Sequence, residues 1–84
     1  MASVTGETLA MVDRLMIELV EYQEKKVLEM ARRLHPGITA EDIRNPQDFP
    51  DLRDNPQWNF EDGILSGYKS AHIALRAKII ELLP

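Results

Sequence analysis

Two histidines, a run of glutamates and one polar residue inside an apolar stripe are the positions from which this 84-residue sequence could do chemistry. His72 has the one side chain whose ordinary pKa lies near neutrality, so a general base or a metal ligand is conceivable there. The Glu-x-x-His pair of carboxylate-bridged di-iron bundles needs an acid three residues earlier, and Lys69 stands in that place. Ligation would have to draw carboxylates from another helix or another chain, and a partly buried structural histidine is the simpler reading. His35, beside Pro36, suits a helix end, where positive charge meets the dipole. Glu18, Glu21 and Glu24 repeat at three-residue steps, a ladder that holds Mg²⁺ when neighbouring helices add ligands. Arg14 and Lys25 interleave with it, and no matching acidic pair exists on the second long helix, so it reads as a solvated charged face. Gln23 lies between Val20 and Val27, where a polar group must find a partner. It either meets Gln23 of a second copy and fixes register, or bonds Ser66, Ser70 or His72.

No Gly-rich phosphate loop, Ser-His-Asp order, nucleophile elbow, zinc spacing or RNA-binding signature is present. No catalytic residue, cofactor or metal is therefore assigned. The alternative of a helical-bundle enzyme or ligand carrier rests on His72 and carboxylates from the first helix.

These residues must be positioned by helices. From about residue 5 to 34 the apolar positions Leu9, Val12, Leu15, Met16, Leu19, Val20, Val27, Met30, Ala31 and Leu34 keep the spacing of one helical stripe. Ser3 or Thr5 is placed to cap this helix, and Pro36-Gly37 stops it. A proline-rich connection follows over about 35–58. Within it Thr39-Ala40-Glu41-Asp42 reads as a capping box opening a short helix at about 40–44. Asn45-Pro46-Gln47 and Asn55-Pro56-Gln57 read as stop-and-start signals, with Asn at the cap and Pro at the first helical position. A second long helix is expected over about 59–82 with Asn59 as cap, or from Pro56 if the first turn is counted. No segment alternates with period two, so the fold class is all-α: a hairpin of two long helices forming one domain, antiparallel in the preferred arrangement, although a connection this long could also cross over and leave them parallel.

The second helix carries two stripes. Gly63, Ser66, Gly67, Ser70, Ala71, Ala74 and Ala77 follow one another at steps of three or four. Phe60, Ile64, Tyr68, Leu75, Ile79 and Leu82 keep the same rhythm on a neighbouring face. Each glycine costs about 1 kcal/mol relative to alanine inside a helix, and close approach of a neighbour is the available compensation. A helix with two apolar faces needs two partners, and this chain has one other long helix. The expectation is a homodimeric four-helix bundle with Gly63, Gly67, Ser70, Ala71, Ala74, Gln23, Met16 and Leu19 in the packing interface. The connection carries Phe49, Leu52, Arg53 and Trp58, which either dock a partner protein or lie down as a lid on the core.

Composition narrows the function classes. There is no cysteine, hence no disulfide framework. A chain this short buries only about 60% of its unfolded surface when folded alone, which favours association as a source of stability. The formal charge of −4 disfavours nucleic acid and anionic membranes as partners. No apolar run is long enough to span a bilayer, and the first residues lack the pattern of a signal peptide. The expectation is a small, acidic, cytoplasmic interaction or adaptor module whose partners are itself and possibly another protein.

Overall fold

The computed structural model describes residues 5–83. Three α-helices, α1 (Gly6–Leu34), α2 (Pro50–Arg53) and α3 (Pro56–Leu82), are joined through two 3₁₀ turns, Asp42–Arg44 and Pro46–Asp48. No strand occurs among the described residues.

The ends of the helices follow from local chemistry. The Thr5 hydroxyl accepts the Thr8 amide at 3.1 Å and caps α1; Ser3 lies outside the described residues. After Leu34 the chain turns through Gly37, whose φ of +88° lies in the left-handed region that glycine tolerates. Thr39 and Asp42 form the expected reciprocal box: the Asp42 amide donates to the Thr39 hydroxyl at 3.1 Å, and the Thr39 amide to the Asp42 carboxylate at 3.0 Å. The element it opens is a single 3₁₀ turn, Asp42–Arg44, rather than a helix over 40–44, and Pro46 keeps Asn45 from extending it. α3 starts at Pro56, not Asn59. The Asn55 carboxamide oxygen accepts the Trp58 amide at 2.8 Å, and Pro56 takes the first helical position. Asn59 instead donates to the carbonyls of Leu52, Arg53 and Asn55 at 3.2, 2.9 and 2.8 Å, tying α2 to α3.

α1 and α3 run antiparallel: Asp13 meets His72 and Gln23 meets Glu61. The core gathers at the connection end, where Val20, Val27 and Ala31 of α1 pack with Ile38, Leu52, Trp58 and Leu65. Trp58 is wholly buried, and its indole N–H donates to the Val27 carbonyl at 3.2 Å, the polar outlet that a buried tryptophan needs. Towards the open end of the hairpin, Leu9 and Ile79 are the buried apolar residues. The result is a rod of 53 × 19 × 17 Å with a radius of gyration of 16.4 Å, against about 12 Å for a compact chain of this length.

Candidate functional site

The small stripe of α3 faces away from the rest of the chain. Gly63, Ser66, Gly67, Ser70, Ala71, Ala74 and Ala77 are all exposed. A Cβ built at Gly63 or Gly67 would meet nothing within 4 Å. Within the chain no neighbour approaches Gly67: Trp58 and Tyr68 turn towards α1, and Phe60 lies in solvent. Of the large stripe, Ile79 is buried, Ile64, Tyr68 and Leu75 are half-buried, and Phe60 and Leu82 are exposed. The helix has one face covered by its own chain and another left bare.

α1 has an uncovered apolar edge as well. Met11, Leu15 and Tyr22 are 62%, 58% and 68% exposed, and Val12 and Leu19 are partly so; Met16 is half-buried beside them. At about 100° per residue, Val12, Leu15, Leu19, Tyr22 and Lys26 lie along one flank of α1. Phe60, Gly67, Ala71 and Lys78 lie along one flank of α3. The two flanks belong to the same side of the hairpin, because Lys26 and Met30 line a cleft of about 380 Å³ together with Pro56 and Phe60. Charge on this side is confined to its borders, where Glu18 flanks the α1 ridge and Glu61, paired with Lys26, lines the cleft. A ridge of large side chains stands beside a trough of small ones.

The polar candidates are consumed inside the chain. Gln23 is 4% exposed, and its amide donates to the Glu61 carbonyl at 3.0 Å and to the Glu61 carboxylate at 2.6 Å. That excludes the pairing with a second Gln23, and equally with Ser66, Ser70 or His72. Lys26 closes the cluster at 3.0 Å from Glu61. The bonds from Gln23, and then from Lys26, hold the Glu61 carboxyl below its ordinary range; the same contact raises Lys26. His72 Nε2 lies 2.8 Å from the Asp13 carboxylate, with the Arg76 guanidinium 3.6 Å from the same oxygen. The carboxylate that the sequence could not name is Asp13, outside the glutamate ladder. Among the described residues no group of three or more His, Asp or Glu side chains is placed to hold a metal. The Asp13–His72 pair reads as a polar staple between the two long helices.

The connection is a lid. Leu52 and Trp58 are wholly buried, so neither can meet a partner. Phe49 is half-buried, its ring edge-on to His35 at 5.1 Å, while His35 Nδ1 lies 2.9 Å from the Asp51 carboxylate. Arg53 alone of the four loop residues is exposed, and it pairs with its neighbour Asp54 at 3.0 Å.

No helix of the described chain is long and apolar enough to cross a membrane. No protein-family model, curated protein or solved structure matches the chain.

Proposed function

We propose that the chain is a self-associating interaction module: two copies join through the side of the hairpin that carries the exposed apolar ridge of α1 into a four-helix bundle, which in turn serves as a docking unit for another protein. One observation carries the reading. The large exposed residues of α1 and the open space at Gly67 on α3 fall on the same side of the hairpin by helical spacing, with the cleft of Lys26, Met30 and Phe60 joining the two flanks.

Surface area supports it. The chain exposes 6277 Å², whereas a compact monomer of 9.6 kDa exposes about 5,100 Å². The excess of about 1,200 Å² exceeds the roughly 800 Å² per partner that a standard interface removes. Two-fold symmetry with the axis along the helices is the arrangement that satisfies both flanks. It lays the Leu15–Leu19–Tyr22 ridge of each copy into the Gly63–Gly67–Ala71–Ala74 trough of the other, and the heights agree, since Gln23 stands level with Glu61 and Asp13 with His72. Glycine in the trough then has the close neighbour that offsets its helix cost. On the other side of the bundle Ile73 and Ile80 stay exposed, at 71% and 68%, and they support the docking arm of the proposal.

The absence of cysteine makes the register testable. Leu19→Cys chains mixed with Gly67→Cys chains should form a mixed disulfide-linked dimer under mild oxidation. Leu19→Cys chains alone should not. Cross-linking of Leu19→Cys to itself, or none in the mixture, would overturn the arrangement.

A further inference from the structure

On the side of the hairpin opposite the exposed apolar ridge of α1, a cleft of about 610 Å³ opens between α1, the first 3₁₀ turn and α3. Leu28, Ile43 and Leu65 line it together with Lys25, Arg44 and Lys69, one apolar residue and one cation from each of the three elements; the apolar three are the less exposed, and we take them as the floor and the cations as the rim. Leu65 is buried, and Leu28 and Ile43 are half-buried. Small-molecule sites share this make-up: about 300–1,000 Å³, an apolar lining, and a few polar groups that fix orientation.

Among the described residues the rim cations share the lack of an ion pair with Arg14, Arg32 and Arg33; what sets them apart is that the three line one cleft. In a chain of net charge −4, Lys26, Arg53, Arg76 and Lys78 are each committed to an ion pair. Among the described residues, Lys25, Arg44 and Lys69 are in no such pair. Two carboxylates also line the cleft, Glu24 on α1 and Asp62 on α3. Burial pushes the Asp62 carboxyl up, and Lys69 partly offsets this. A cationic rim around a greasy floor suits a ligand with an anionic head and an apolar body. The three elements enclose a space on the scale of one alkyl chain.

We propose that this cleft binds a small amphipathic anion of the acyl carboxylate class, its alkyl chain on Leu28, Ile43 and Leu65 and its head against Arg44 and Lys69, with Lys25 as the third cation of the rim. The site lies away from the self-association face and stands whether or not two copies pair.

Decanoate, below its micelle-forming concentration, is the probe, followed by amide chemical shifts of the full chain. Saturable shifts at Leu28, Ile43, Leu65, Ser66 and Lys69 are expected. Decanol, which lacks the charge, should bind about tenfold more weakly, the worth of a charge-assisted hydrogen bond. Arg44→Glu/Lys69→Glu should weaken decanoate by about tenfold or more while amides away from the cleft keep their positions. Asp62→Asn, which removes a negative charge from the lip, should tighten it, an effect in the opposite direction that loss of fold cannot mimic. Shifts without saturation, equal binding of decanol, unchanged binding in the double variant, or shifts confined to Leu15, Leu19 and Phe60 would each overturn the proposal.

Discussion

Glu61 and Asp62 are adjacent carboxylates with opposite electrostatic fates. Glu61 accepts from Gln23 and Lys26 and is held below its ordinary range. A carboxylate lowered in this way adds stability above its unfolded pKa, and that contribution disappears as pH falls through the lower folded value. Asp42, lowered by the backbone and side-chain bonds of Thr39, acts with the same sign. Thermal melts should therefore weaken below about pH 4.5, and Glu61→Gln should flatten that acid limb. Asp62 behaves in reverse. Its carboxyl is raised by burial, so its charge costs stability above the ordinary carboxylate pKa, and the cost is complete above the folded value. Asp62→Asn should raise the melting temperature at pH 7 and leave it unchanged at pH 3. An equal gain at both pH values would mean that the charge is not the cause. Trp58 and Leu52 belong to the same scale: Leu52→Ala should cost about 2–5 kcal/mol in denaturant melts, as truncation of a wholly buried leucine does.

At the level of elements, α3 depends on its first turn. Asn55→Ala removes the side-chain acceptor of the Trp58 amide and should cost about 1 kcal/mol, whereas Asn59→Ala should act through α2, which Asn59 ties to the start of α3 by side-chain bonds to two of its carbonyls. The two long helices and the turn at Gly37 were legible because apolar spacing, Thr5, the capping box and proline are local signals. The start of α3 was legible in the second Asn-Pro-Gln, which gives Asn55 as cap and Pro56 as first helical residue; Asn59 is a good cap type one turn too late. The partner of Gln23 was not legible, since it depends on which residue of an antiparallel helix stands level with it, a matter of register that spacing within one helix does not encode. For the same reason Asp13 was overlooked in favour of the more regular glutamates. Leu65 was missed because it falls between the two stripes on the wheel, and Leu65 rather than Phe60 reaches the core. The loop's Phe49–Trp58 run resembled a binding surface by composition alone; burial made it a lid. The cleft was invisible because Lys25, Arg44 and Lys69 come from three elements whose convergence is a property of the fold.

On the scale of the whole molecule, a rod with its core at one end leaves apolar flanks bare along its length, and the proposed pairing would cover them. Gly67 gives the test a sign. In isolation, Gly67→Ala fills empty space and should stabilise by about 1 kcal/mol through helix propensity alone. In the paired state, Gly67→Leu places a large side chain where the ridge of the second copy sits and should cost about 1–3 kcal/mol. Measuring Gly67→Leu in the native sequence and again with Leu15→Glu/Leu19→Glu separates the two, because its penalty should vanish once pairing is broken. The most direct measurement is sedimentation equilibrium of the full chain at micromolar concentration. The account predicts twice the 9.6 kDa chain mass, falling to the single-chain mass in Leu15→Glu/Leu19→Glu. A stable, cooperatively melting native chain that sediments as one copy would contradict it.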